Sequence, residues 1–263
     1  IARVILGDVL SAAYQQSQLS IGNFSARTVS VGDLFMGAIV PGLMLVFCYA
    51  LYVIIRAYLS PKMAPVQEAT IVSGRWKILF SSLLPPFALI SSVLGSILLG
   101  IATPTEAAGV GALGAILLAV SKSSLNRKNL TEAVETTAEI TAMVFMILLG
   151  SSIFSLVFRG FGGDDLITGI FTELPGGAFG AVLVVMIIIF LLGFILDFIQ
   201  ITLVVVPIVG PALLMLGVDP IWLGIMIAIN LQTSFLTPPF GFALFYLRGV
   251  APDTLATKDI YRG

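Results

Sequence analysis

Long stretches without charge constrain this chain more than any other feature of its sequence. Apolar residues dominate five segments, at about 34–59, 78–120, 140–158, 178–217 and 221–247. A helix needs about 20 apolar residues to cross the hydrocarbon core of a bilayer, and several of these segments are longer. Hydrophobic residues make up 58% of the chain and charged residues 10%, which is far from the composition of a soluble domain. The sequence therefore predicts an all-α integral membrane protein with several spans, surrounded by the lipid bilayer.

Two Thr-Pro steps interrupt these apolar stretches. They are Thr103-Pro104-Thr105-Glu106 and Thr237-Pro238-Pro239-Phe240-Gly241. Because proline donates no backbone hydrogen bond and clashes with the preceding turn, each step predicts a helix break at or near bilayer depth. Broken helices within a membrane are typical of transporters, in which freed carbonyls and half-helix ends hold ions and substrate.

The residue types that the chain lacks exclude several functions. It has no histidine and a single cysteine, Cys48, which excludes His-based catalysis, Cys/His metal sites and a disulfide within the chain. An intramembrane aspartyl protease needs two membrane aspartates, and only Asp197 is well placed. The net charge of −1 comes with no basic excess that would indicate a nucleic-acid partner. We therefore expect neither an enzyme nor an organic cofactor.

Basic residues gather in three regions, at 56–77, 122–128 and 248–262. By the positive-inside rule these regions are cytoplasmic, and the acidic stretch 159–175 is external. The apolar block 178–217 then has external flanks on both sides, yet its middle carries no Lys or Arg. We favour a re-entrant hairpin with its tip near Asp197 over two short spans, and both interpretations remain open.

Three polar side chains mark the middle of that block: Asp197, Gln200 and Thr202. A carboxylate at membrane depth costs on the order of 3 kcal/mol unless it is paired, hydrated or beside a cation. Asp197 could therefore help to form a cation or substrate pathway. It could equally be the N-cap of the apolar helix that follows, and the two roles are compatible.

The first Thr-Pro step fits the capping-box pattern, with Thr103 as N-cap, Pro104 in the first turn and Glu106 as the third helical residue. This structural interpretation accounts for all four residues, Thr105 included, without a ligand. A helix N-terminus nevertheless carries partial positive charge, so the break stays of interest.

Amides and hydroxyls precede the second Thr-Pro step. The side chains are those of Asn230, Gln232, Thr233 and Ser234. Asn230 and Ser234 are four residues apart and so share one helical face. Such groups, together with uncoiled carbonyls, are ligands for a hard cation such as sodium, whereas a plain proline kink would use them to satisfy loose backbone groups.

At these motifs the sequence resembles the large membrane subunit of tripartite ATP-independent periplasmic (TRAP) transporters. The resemblance is carried by Thr103–Ala108, Leu196-Asp197, Asn230-Leu231 and Leu236–Gly241, and also by Val29–Phe35 and Ile39–Gly42. It implies a secondary transporter of the bacterial inner (cytoplasmic) membrane that uses sodium as its coupling ion. The implied partners are a small membrane subunit, a periplasmic binding protein and a small organic-acid substrate.

The fold that the resemblance implies is an elevator built from two inverted repeats, each with a re-entrant hairpin and a broken helix. This chain would supply the second repeat of a longer subunit, with the hairpin at 178–217 and the broken helix at 221–247. One sodium site would lie between the hairpin tip and residues 232–237. The candidate sodium and substrate residues are Asp197, Gln200, Thr202, Asn230, Gln232, Thr233, Ser234, Thr237 and Gly241, with helix breaks or caps at Thr103, Pro104, Thr105, Glu106, Pro238 and Pro239.

We expect a single membrane domain over 1–263, with four parts. They are an external segment at 1–30, a span and cytoplasmic loop at 31–77, a helix pair and interfacial helix at 78–140, and a transport core at 141–263. The polar residues 14–18 are expected to lie in a plain loop. The alternative function is a stand-alone sodium-coupled symporter of the divalent-anion type, which needs no binding protein; the Thr-Pro-Thr-Glu block favours the TRAP interpretation.

Overall fold

A computed structural model of the protein describes residues 2–20, 22, 28–60, 75–237 and 247. The regular structure of these residues is helical. In chain order the helices are α1 (Ala2–Ser20), α2 (Val31–Gly37), α3 (Ile39–Leu59), α4 (Arg75–Leu98), α5 (Pro104–Ser121), α6 (Arg127–Gly160), α7 (Gly163–Glu173), α8 (Gly177–Leu192), α9 (Phe198–Gln200), α10 (Val206–Met215) and α11 (Pro220–Phe235), with a π-helical turn, Ile201–Val205, between α9 and α10.

Five helical stretches of the described chain are long and apolar enough to cross a membrane. They are Val31–Leu59, Leu79–Leu98, Pro104–Ser121, Arg127–Gly160 and Phe198–Met215. Helices α7 and α8, bent by 116° at their junction, would supply a sixth if the pair counts as one span. The all-helical, multi-span architecture that the sequence predicts is therefore confirmed.

The helices form two compact units. The helix-pair unit comprises Ala38–Ala138, and the hairpin unit comprises Ile1–Gly37 together with Glu139–Gly263. In the helix-pair unit, α4 approaches α5 closely where Gly111 and Gly114 leave room for the side chains of Val93 and Leu89. Near the end of α5, the ammonium group of Lys122 donates to the Ser81 carbonyl at 3.1 Å.

The core of the hairpin unit is formed by one face each of α1, α8, α10 and α11. Its fully buried side chains include Leu10, Ile189, Leu213, Leu223 and Ile227. Small residues allow helices to meet at short range here. A Cβ placed on Gly210 of α10 would lie only 3.4 Å from Cβ of Ala13 in α1, and one on Gly224 of α11 would lie 2.6 Å from the Leu10 side chain.

The prediction of a loop at residues 14–18 is wrong, because these residues belong to α1. Leu6, Leu10, Ala13 and Ser17 recur at three- and four-residue spacing and are all buried, so they form one continuous helical face. Near the end of the helix the neighbouring residues are glutamines, so the helical periodicity of apolar residues is not visible in the sequence there. The α1 helix thus packs in the hairpin unit rather than standing apart as a loop.

The predicted interfacial helix before residue 140 and the span that follows it are one continuous helix, α6, of 34 residues. At 1.5 Å per residue such a helix is about 50 Å long, which exceeds the roughly 30 Å of a hydrocarbon core. In the 34–59 segment the helix is instead interrupted, at Ala38 between α2 and α3.

We predict that Leu10→Ala destabilises the intact protein by about 2 kcal/mol, the lower end of the range for buried leucines. The lower end applies because lipid already offers an apolar environment to the unpacked helix, so the cavity contributes most of the cost. Thermal unfolding in detergent measures the effect. Leu19→Ala, on the same helix but 53% exposed, is the matched control and should leave the unfolding temperature nearly unchanged. Equal losses in the two variants would contradict the packing of α1 into this core.

Candidate functional site

The first arm of the predicted hairpin, α8, is a run of apolar residues that ends at Leu192. The chain then turns over residues 193–197 before α9 begins at Phe198. Backbone hydrogen bonds close the turn, among them those from the N–H of Gly193 to the Ile189 carbonyl at 2.9 Å and from the N–H of Leu196 to the Leu192 carbonyl at 2.8 Å. The break that the sequence places near Asp197 is therefore present, and we call residues 193–197 the hairpin tip.

Asp197 is the N-cap of the second arm. Its carboxylate accepts a hydrogen bond from the Phe198 N–H at 2.7 Å, and its own N–H donates to the Gln200 side-chain oxygen at 3.2 Å. The Asp197 carboxylate also accepts from the Gln200 N–H, so Asp197 and Gln200 form a capping box, in which two side chains satisfy backbone groups that a helix start leaves unpaired. The N-cap interpretation of Asp197 is confirmed, and Gln200 is its partner in the cap.

Thr202 lies in the π-helical turn that follows and is buried. The N–H of Val206 donates to the Ile201 carbonyl, five residues back, and Pro207 has no N–H to give. The Thr202 carbonyl is consequently left without either of its usual in-helix donors, at four or five residues further on. A π-turn at such a position is a common feature of functional sites, and an oxygen freed in this way is a potential ligand.

Helix α11 packs on α8 and brings its C-terminal end to the hairpin tip. A Cβ added to Gly193 would overlap the Ser234 hydroxyl and lie 2.8 Å from Cβ of Ser234, so only glycine leaves room for this contact. The ring centroids of Phe198 and Phe235 lie 6.3 Å apart. The structure therefore places the end of α11 against the hairpin tip.

Asn230 and Ser234 share the face of α11 that meets α8, as their spacing predicts. The Asn230 amide donates to the Met186 carbonyl at 2.6 Å. Ser234 is fully buried and donates to the Leu231 carbonyl of its own helix at 3.0 Å. In this arrangement Asn230 joins α11 to α8 by a hydrogen bond, whereas Ser234 packs against Gly193 and bonds within its own helix, so the hydroxyl and the amide N–H are both already used as donors.

The remaining polar candidates on α11 do not converge on the tip. Gln232 and Thr233 are exposed, and the Thr233 hydroxyl donates to the Ile229 carbonyl at 2.9 Å. The Thr237 hydroxyl donates to the Thr233 carbonyl at 2.9 Å and so helps to end the helix. The predicted second half-helix, with Pro238, Pro239 and Gly241, lies outside the described residues.

The other Thr-Pro step lies in the helix-pair unit and forms the predicted capping box. The N–H of Thr103 donates to the Glu106 carboxylate at 2.7 Å, and the Glu106 N–H donates to the Thr103 hydroxyl at 3.4 Å. Pro104 occupies the first turn of α5. Because α4 and α5 are each long enough to span, this step lies at the turn between two spans rather than in the middle of one.

Sequence reasoning missed two residues that shape the tip. Gly193 is one of many glycines in the chain, and only its contact with Ser234 shows why no side chain fits there. Pro207 follows Thr202 by five residues, which is a usable signal, since a proline at that distance removes a donor from the turn before it.

A chain with several helices of span length, and with a hairpin whose tip meets the end of another helix, belongs to the class of multi-pass helical membrane transport proteins. The particular family follows from sequence comparison. The model of the tripartite ATP-independent periplasmic transporter, DctM component, matches residues 19–263, and the chain belongs to this family.

Three curated relatives show how the family match extends to named proteins. The chain is 30% identical to a C4-dicarboxylate TRAP transporter large permease protein of Pseudomonas aeruginosa, with 86% of this chain and 52% of the relative covered. It is 29% identical to a sialic acid TRAP transporter large permease protein of Vibrio cholerae (84% and 51%) and 30% identical to an ectoine TRAP transporter large permease protein of Halomonas elongata (82% and 50%).

The chain thus spans about half the length of the curated relatives it matches. These relatives are named as transporter permease subunits, not as enzymes. No solved structure matches the chain.

We predict that Gly193→Ala destabilises the permease by about 1–3 kcal/mol, the usual cost of an extra methyl group in a packed site. Shortening the facing side chain should restore the space. The double variant Gly193→Ala/Ser234→Gly should therefore lose less stability than the two single variants added together, by about 1 kcal/mol. Thermal unfolding of all four proteins completes the cycle. Gly150→Ala is the control, because a Cβ there meets nothing within 4 Å; additive losses would show that Gly193 and Ser234 do not touch.

Proposed function

We propose that the intact protein is the large permease subunit of a TRAP transporter that uses an inward sodium gradient to import a small organic acid. Membership of the family supports the transport role. The observation that carries the proposal further is the contact between the hairpin tip and the end of α11, where Gly193 meets Ser234. Two helix breaks that meet in this way assemble half-helix ends and backbone carbonyls at one point, which is how many secondary transporters hold ions.

The chemistry of the tip favours a cation there. The Asp197 carboxylate already occupies the N-terminus of the second arm, so that helix end is not open to an anion. The Thr202 carbonyl, which lacks an in-helix donor, adds a second oxygen in the turn that follows. Oxygen ligands of this kind, carboxylate and carbonyl, are those that hard cations take, and sodium is the cation that we propose.

The organic-acid substrate is supported by the names of relatives. One is named for C4-dicarboxylates and another for sialic acid, while a third is named for ectoine. The substrate therefore varies among proteins that match the same half of the permease, and we propose only the class, a small carboxylate. The proposed location is the bacterial inner membrane.

The proposed partners are those of a tripartite system. A periplasmic binding protein would deliver the substrate, and a small membrane subunit would support the permease. Within the permease, the described hairpin would enter the membrane from outside and move as part of an elevator built from two inverted repeats. The absence of Lys and Arg from residues 160–247 supports the re-entrant orientation, since a cytoplasmic loop at the tip would be expected to carry basic residues.

Uptake of labelled organic acids into liposomes tests this function, with the full-length permease, its small subunit and its binding protein present. We expect uptake that needs both an inward sodium gradient and the binding protein. Uptake that proceeds without the binding protein would favour the stand-alone symporter instead. Uptake that ignores the sodium gradient would exclude sodium as the coupling ion.

We predict that Asp197→Asn raises the sodium concentration for half-maximal uptake by at least about tenfold, which corresponds to about 1.4 kcal/mol. Asparagine caps a helix about as well as aspartate does, so this variant removes the charge and keeps the cap. Asp219→Asn is the matched control, because Asp219 caps α11 through the Trp222 N–H at 2.8 Å but lies at the end of α11 away from the tip. A normal sodium dependence in Asp197→Asn, with a loss only in Asp197→Ala, would assign Asp197 to capping alone.

A further inference from the structure

The hydrogen bond between Asn230 and Met186 joins two helices that are far apart in sequence. The Asn230 amide nitrogen lies 2.6 Å from the Met186 carbonyl oxygen, across 44 residues of chain, and 3.6 Å from the Met186 sulfur. Because the Met186 carbonyl can only accept a hydrogen bond, the NH2 group of the Asn230 amide must face α8. The donor end must point to Met186, and the amide oxygen points away from it.

This bond and the contact at the hairpin tip fix α11 on α8 at two points. Met186 lies about two turns before Gly193 on α8, and Asn230 lies about one turn before Ser234 on α11. Core packing, for example of Gly224 against Leu10, sets the general position of α11, and the two contacts to α8 add directional constraints to it. Two contacts on one face define both its rotation and its register, and a slip of one residue would carry Ser234 away from Gly193.

We propose that Asn230 is a positioning residue of the cation site, acting through this hydrogen bond rather than as a ligand. Its amide holds α11 in the register at which the end of that helix meets the tip formed by residues 193–197. Loss of the bond loosens the register and weakens cation binding at the tip. This inference rests on the proposed sodium-coupled function.

Two variants separate positioning from ligation. Asn230→Ala removes the amide altogether. Asn230→Asp keeps an oxygen of the same reach but loses the donor, and it sets a carboxylate oxygen against the Met186 carbonyl. If Asn230 were a sodium ligand through its oxygen, the aspartate would bind sodium at least as well; if it positions α11 through its N–H, the aspartate fails like the alanine.

The measurement is the sodium concentration that gives half of the maximal thermal stabilisation of the full-length permease in detergent, with potassium as the reference salt. We expect this midpoint to rise at least about fivefold in both variants, which is the lower end of couplings between linked sites. Asn129→Ala is the matched control. The Asn129 amide also donates to a backbone carbonyl, that of Ser124 at 2.9 Å, but five residues away in the helix-pair unit, and its midpoint should match the wild type.

Each other result overturns a defined part of the argument. A lower unfolding temperature without sodium but an unchanged midpoint in both variants would reduce Asn230 to a structural residue and refute the proposal. A wild-type midpoint in Asn230→Asp alone would make Asn230 a ligand and also refute it. If Asn230→Ala does not fold, the aspartate variant, being the same size, decides between these outcomes. A wild-type permease that sodium does not stabilise more than potassium would instead refute the proposed function itself.

Discussion

A helix start leaves backbone N–H groups without partners inside the helix, and an apolar environment offers no water to satisfy them. This chain places a capping side chain at three of its helix starts. Thr103 pairs with Glu106, Asp197 pairs with Gln200, and Asp219 accepts from the start of α11. The acidic side chains of Glu106, Asp197 and Asp219 therefore all stabilise helix starts. Only polar groups that are not already used in capping can bind a ligand at a break.

The hairpin tip and the turn after it have features that backbone capping does not account for. Pro207 removes a donor from the second arm, the helix widens into a π-turn, and the buried Thr202 carbonyl loses its in-helix partner. On the other side of the tip, the lack of a side chain on Gly193 lets Ser234 approach. Neither feature stabilises the fold by itself: the first removes a usual helical hydrogen bond, and the second gives up a packed side chain. Costs of this kind are expected at functional positions.

The sequence predicts features that depend on residues close together in the chain, and it does not predict contacts between distant residues. The two capping boxes were predictable because each joins residues three apart, and the breaks follow from residues beside them. The sharing of one face by Asn230 and Ser234 follows from helical spacing alone. The hydrogen-bond partner of Asn230 could not be predicted, because Met186 lies 44 residues away and a sequence does not distinguish one backbone carbonyl from another. The α1 helix was missed for another reason: a buried serine, Ser17, and neighbouring glutamines obscure its apolar face.

The charge distribution gives a physical reason why cation and carboxylate uptake would be linked in the proposed transporter. No Lys or Arg occurs in residues 160–247, whereas Asp197 places a negative group at the tip. A carboxylate that approaches this tip meets a like charge and no basic side chain from the same segment. A bound monovalent cation would neutralise the Asp197 charge, and at 5 Å with an effective dielectric of 20 its own attraction for the carboxylate would be about 3 kcal/mol, or roughly two orders of magnitude in affinity. In the proposed transporter the cation would therefore be the counter-charge that this segment lacks, and substrate binding would follow cation binding.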